Sequence, residues 1–98
     1  TSGSAMIAYA MLKACRMKAV LAEKYEDNAI SIFEALADNK LEEVDGELKL
    51  GGICSVAGLG GKEKRDGSLK YYFSEPVVYD DHKGVGPFIM AYSEINRL

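Results

Sequence analysis

Tryptophan is absent from this 98-residue chain, and proline, cysteine and histidine are scarce, at two, two and one residues. The shortage of thiols and imidazoles excludes a zinc site. Cys15 and Cys54 stand alone, with neither CxxC spacing nor a Cys/His cluster. They read as two buried thiols of a protein in a reducing, cytoplasmic compartment. No charge of one sign dominates: 12 Lys and Arg face 15 Asp and Glu, for a net charge of -3. Without the basic patch or stripe of a phosphate-backbone binder, nucleic acid is not an expected partner. No apolar run approaches the roughly 20 residues of a membrane span, so a membrane is not expected either. The start at Thr1 shows no charged segment, apolar run and small-residue cleavage site in succession, and no intact signal peptide is expected. No internal repeat recurs at a fixed period. What remains is ordinary globular composition, 48% hydrophobic and 28% charged, in one small domain whose core must be thin.

Glycine is not scarce, and it is unevenly placed. Eight of ten glycines fall between Gly51 and Gly86, a segment with too many turn dipeptides for a helix and too many aromatics for a linker. Before it, Ser2 and Ser4 offer N-caps to AMIAYAMLKACRM, a run apolar on nearly every face and interrupted only at Lys13 and Arg16. That is the pattern of a buried inner helix. Leu21 to Ala37 instead places Tyr25, Ala29, Ile32, Phe33 and Leu36 on one stripe and charges elsewhere, which predicts an amphipathic outer helix. A short connection near Met17 to Val20 makes the two an αα-hairpin. LEEV, Asp45-Gly46 and ELKL predict a two-residue hairpin with a type I′ turn. Asp66-Gly67 signals another turn, and Tyr71, Tyr72 and Phe73 favour extended chain, so Leu41 to Gly84 is expected to be mostly loop with short strands. Pro87 suits the first turn of a last helix that opens at Gly86-Pro87 and reaches Arg97.

Several residues invite a functional reading. GLGGK at 58–62 fails the phosphate-loop spacing at Val56 and again at Glu63, where a hydroxyl is needed, and reads as a tight glycine loop. Asp66, Glu75, Asp80 and Asp81 are the carboxylates of the glycine-rich region, the residue type that glycoside chemistry uses for proton transfer; turn formation and capping explain most such residues. His82, the lone histidine, reads as an exposed loop residue. Ser2 and Ser4 can cap the first helix or present hydroxyls and backbone N–H groups to an anionic sugar. Of Tyr71 and Tyr72, on opposite faces of a strand, one can stack on a sugar while the other packs inward. Lys83 is the fixed cation between Ser74 and Gly84, able to attract a carboxylated sugar or to pair with Asp81. The substrate-binding candidates are therefore Ser2, Ser4, Tyr72, Glu75, Asp81 and Lys83.

TSGSAMIAYAMLK, GGICSVAGLGG, RDGS, YYFSEPV and DDHKGVGPFIMAYSE, in this order and spacing, resemble the C-terminal part of the unsaturated rhamnogalacturonyl hydrolases, glycoside hydrolase family 105. The related unsaturated glucuronyl hydrolases resemble it less. The resemblance implies an all-α fold, the C-terminal part of a single (α/α)6 barrel or six-hairpin toroid spanning residues 1–98, here with a long glycine-rich loop and short β-hairpins. It implies that these residues form about the last third of the enzyme, whose barrel needs more helices than this chain holds. The partner would be an unsaturated uronic oligosaccharide derived from pectin, hydrolysed without metal or organic cofactor. The family's catalytic aspartate is expected upstream of Thr1, so no catalytic residue is expected here and the chain alone should be inactive. Where that family often has Asn-Asp before KGVG, this chain has Asp80, Asp81 and His82. A different class also fits the residues: a small autonomous module that binds a glycan or a protein through its loop. Produced alone, the chain is expected to self-associate through the apolar first helix.

Overall fold

The computed structural model describes residues 1–55 and 67–98. The GLGGK loop and Asp66 lie outside the described residues. Four helices, α1 (Ser2–Arg16), α2 (Ala22–Lys40), α3 (Leu69–Ser74) and α4 (His82–Ile95), and four short strands, β1 (Leu41–Val44), β2 (Glu47–Leu50), β3 (Ile53–Cys54) and β4 (Val77–Val78), make up the described chain.

Helix α1 is central, packed against α2 on one side and α4 on the other. Its buried residues Ala5, Ala8, Leu12 and Cys15 recur three and four apart and form one stripe. Small side chains let the neighbours approach: Ala5, Ala8, Ala29 and Ala91 are fully buried. Around Ala8, Phe33 and Ala91 the core is completed by Tyr9, Ile32, Ala37, Phe88 and Ile95, with the Phe33 and Phe88 rings stacked at 4.9 Å. Met6 and Ile7, on the rest of α1, stay 47% and 55% exposed.

The connection from α1 to α2 is a Schellman turn. Lys18 adopts φ 59°, its N–H bonds the Cys15 carbonyl, and the Ala19 N–H bonds the Ala14 carbonyl. Asp45 and Gly46, at φ 52° and 81°, form the expected type I′ turn between β1 and β2, with Leu41 opposite Leu50 and Val44 opposite Glu47.

Two expectations are corrected. Tyr71, Tyr72 and Phe73 are helical, within α3, because the Ser68 side chain accepts from the Tyr71 N–H at 3.1 Å. A local cap outweighs the aromatic preference for extended chain. Helix α4 begins at His82, ahead of Gly86-Pro87, because Asp81 is its N-cap and accepts from the Lys83 N–H at 3.0 Å. Pro87 therefore lies inside the helix, where it has no N–H to donate to the Lys83 carbonyl. His82 is an exposed helix residue, and α4 ends at Ile95, short of Arg97.

The two ends of the glycine-rich segment are tied together. Strands β3 and β4 pair antiparallel, Ile53 with Val78 and Cys54 with Val77. Beyond this pair the Ser55 N–H bonds the Pro76 carbonyl, and the Asp80 N–H bonds the Leu50 carbonyl. Asp80, at φ 55°, returns a carboxylate oxygen to the Leu50 N–H at 2.8 Å. Its role is to hold this turn.

Candidate functional site

Helices α1 and α4 run parallel, since Arg16 near the end of one meets Glu94 near the end of the other while both N-termini border one cavity. That cavity encloses about 400 Å³ and is lined by Thr1, Ser2, Gly3, Ser4, Gly52, Cys54, Tyr72 and Lys83. Thr1 fixes the entry to α1: its hydroxyl donates to the Gly51 carbonyl at 2.6 Å and its nitrogen to the Gly52 carbonyl at 3.0 Å. Thr1 makes no side-chain cap hydrogen bond to α1, so among the described residues the N–H groups of its first turn and the positive end of its dipole border the cavity without a side-chain cap.

Lys83, on the first turn of α4, lines the same cavity. Its ammonium lies 2.7 Å from the Asp81 carboxylate, which also accepts from its backbone N–H. These hydrogen bonds, foremost that of the side chain, hold the Asp81 carboxyl below the usual carboxylate range. Tyr72, 47% exposed, comes from α3, its ring edge-on to Phe73. The Cys54 sulfur lies 3.9 Å from the Tyr72 hydroxyl, and this contact is the main cause that raises the phenol above its ordinary pKa.

Of the six binding candidates, Ser2, Ser4, Tyr72 and Lys83 thus share one cavity, and Asp81 stands behind Lys83 as its partner. Glu75 caps the end of α3 and does not line it. Tyr72 reaches the site from a helix and not from a strand face. Sequence reasoning missed Thr1, Gly3, Gly52 and Cys54. For Gly52 a signal was present in the Gly51-Gly52 pair: φ is +69°, and a Cβ there would meet the Thr1 hydroxyl oxygen at 2.6 Å. For Cys54 no signal existed, because a lone thiol reads as core.

The lining contains hydroxyls, backbone donors, an aromatic ring and a cation, and among the described residues no carboxylic acid. It can bind an anion and orient a polar ring. Among the described residues no group of three or more His, Cys, Asp or Glu is placed to hold a metal ion, and no helix is long and apolar enough to cross a membrane.

Two parallel helices packed side by side, with a third packed on the first, fit the inner and outer layers of a helical barrel. The chain belongs to Glycosyl Hydrolase Family 88, whose family model matches residues 1–98. It superposes, with a TM-score of 0.90 and 46% identity over 99% of its length, on a glycoside hydrolase from family 105 of C. acetobutylicum, of which it covers 27%. It is also 47% identical, over 96% of its residues, to protein Atu3128 of Agrobacterium fabrum, and equally similar to a 24.9 kDa protein in the picA locus of Rhizobium radiobacter. The chain spans 43% of the length of each of these two relatives. Its all-α architecture is that of part of an (α/α)6 barrel.

Proposed function

We propose that the protein containing this chain releases a terminal unsaturated uronic sugar from pectin-derived oligosaccharides, and that this chain forms one wall of the sugar-binding cleft. The observation that carries the reading is the pairing, in one cavity, of the uncapped N-terminus of α1 with the Lys83 ammonium. Both favour a carboxylate, and Tyr72 offers a flat surface beside them. In the proposed reaction an acid from outside this chain protonates C4 of the C4=C5 double bond and water adds its oxygen at C5. One proton of that water returns to the catalytic base; the resulting C5 hemiketal opens by breaking its C5–O5 bond to a ketone, and the hemiacetal this leaves at C1 breaks its bond to the leaving sugar, which departs as an alcohol and leaves an aldehyde. No metal or organic cofactor enters this scheme. The residues of this chain bind and orient.

In the full-length protein, Lys83→Ala should raise KM for an unsaturated galacturonyl disaccharide about tenfold with kcat little changed, as loss of a charge-assisted contact to a non-reacting group predicts. Turnover is followed as loss of double-bond absorbance. The Asp81 cap on the Lys83 backbone survives the substitution, so the helix is preserved and the change reports on the ammonium. A wild-type KM in the folded variant would remove Lys83 from the cleft. Absence of turnover by the wild-type protein would favour a non-catalytic binding module.

A further inference from the structure

Beside the cavity at the start of α1 lies a second, of about 230 Å³, bordered by Asn39, Lys40, Glu42 and Tyr79. Gly52 lines both. A side chain at Gly52 would meet the Thr1 hydroxyl oxygen and, at 2.9 Å, Lys40 Cδ, so the residue that borders both spaces is one that Thr1 and Lys40 pack against closely.

Tyr79 is held in an unusual way for a half-exposed aromatic. One edge of its ring rests on the Gly51 backbone, with Cε1 3.0 Å from where a Cβ would stand. Its hydroxyl donates to Glu42 Oε2 at 2.7 Å, a bond that is the main cause raising the phenol above its ordinary pKa. Val78 before it is paired in β4, and Asp80 after it is bonded to Leu50 through backbone and side chain. The ring is thus fixed from both flanks and at its tip, yet 50% of the residue remains exposed. An aromatic kept rigid while open to solvent is what a stacked ligand needs, because little side-chain entropy is lost on binding. The groups around it suit one ligand chemistry. Glu42 accepts the Tyr79 hydroxyl through one oxygen and keeps a second. Asn39 spends its amide N–H on the Ala35 carbonyl and keeps its oxygen. Lys40 brings an ammonium with no ion partner among the described residues. A pyranose ring presents an apolar C–H face bordered by hydroxyls that both donate and accept.

We propose that Tyr79 is the platform of a second sugar subsite, next to the Thr1–Ser4 cavity with Gly52 on the border of both, which stacks the ring attached to the unsaturated uronic sugar. The inference rests on the function proposed above and adds the recognition of the leaving sugar.

Two substrates and two variants of the full-length protein test it: an unsaturated uronyl disaccharide, and the methyl glycoside of the same unsaturated sugar, which has no second ring. Tyr79→Leu keeps apolar packing on Gly51 but removes the flat face. It should raise KM for the disaccharide about tenfold and leave the methyl glycoside unchanged, whereas Tyr79→Phe should stay within about twofold of wild type on both. In the wild-type protein the ring-proton resonances of Tyr79 should shift on adding the disaccharide and stay in place with the methyl glycoside. If Tyr79→Leu leaves both KM values at wild type or raises both equally, the subsite is overturned while the site reading stands. An unmoved Tyr79 resonance in wild type overturns it even where Tyr79→Leu does not fold. Failure of the wild-type protein to turn over either substrate overturns the function proposed above, and the subsite with it.

Discussion

Glu94 is the one charged residue buried among the described residues, 6% exposed, and it has found a fitting partner. Arg16 grips its carboxylate through two nitrogens, Nε at 2.8 Å and a terminal nitrogen at 3.0 Å, the bidentate geometry that only arginine offers. Those hydrogen bonds are the main cause that holds the Glu94 carboxyl below its ordinary value. Burial opposes them, and the charges of Arg16, Arg97 and Lys13 assist. A carboxyl whose pKa is depressed on folding contributes stability that is complete above the ordinary glutamate pKa and is lost as pH falls through the depressed one. In the full-length protein, Glu94→Gln should therefore lower Tm at neutral pH and shrink the difference from wild type between about pH 6 and pH 3. Thermal melts across that range check it; a difference that does not narrow would show that the carboxylate's charge is not what stabilises. Arg16 was legible in the sequence only as an interruption of an apolar run. Its partner lies 78 positions away, and no local pattern reports a contact that only helix packing creates. The same limit applied to the cavity: Ser2, Ser4, Tyr72 and Lys83 were legible one by one from their chemistry, and Cys54 was not, because what it faces is decided by the pairing of β3 with β4.

Elements specified by adjacent residues were read correctly from the sequence, and elements with competing local signals were not. The β1–β2 turn needs only Asp45-Gly46 and their positive φ, and the stripe on α2 needs only its own periodicity. For α4 two start signals competed, Asp81 and Pro87, and the side-chain cap prevailed because it satisfies an N–H that would otherwise be unpaired. The consequence is that Gly84 sits within a helical turn, where it has a packing role. It is buried against Ile53 of β3, itself fully buried; a Cβ at Gly84 would stand 2.7 Å from Ile53 Cγ1 and closer still to Cδ1. Gly84→Ala gains helix propensity, yet the overlap should dominate, destabilising the protein by about 1–3 kcal/mol. Because the closest atom is Cδ1, Ile53→Val combined with Gly84→Ala should recover part of that loss, although Ile53→Val alone destabilises. Denaturant unfolding of the four proteins in the cycle measures the coupling, and strict additivity would mean that the helix and β3 do not meet where the structure puts them.

At the scale of the molecule the chain is a slab of 45 × 36 × 17 Å with a radius of gyration of 15.4 Å, larger than the about 13 Å of a compact domain of this length. A slab this thin leaves part of each helix uncovered, and apolar side chains remain on the open surfaces: Met6 and Ile7 of α1 and Ile89, Met90 and Tyr92 of α4 are each more than 40% exposed. In an (α/α)6 barrel the remaining helices of the ring would lie against such surfaces, which accounts for the all-round apolar sequence of α1 better than its packing within these 98 residues does. Produced by itself, the chain should cover the same area with copies of itself, so light scattering across micromolar concentrations should give a mass above 10.7 kDa that rises with concentration. Ile7→Lys, which puts a charge on the exposed part of α1, should reduce that association in the isolated chain. In the full-length protein the same substitution should be destabilising, because there the position is covered and the ammonium is unpaired. The two responses have opposite signs, and this separates a barrel surface from an ordinary exposed one. A monomeric isolated chain, or a full-length Ile7→Lys protein as stable as wild type, would mean that this face of α1 is solvent-exposed in the complete protein as well.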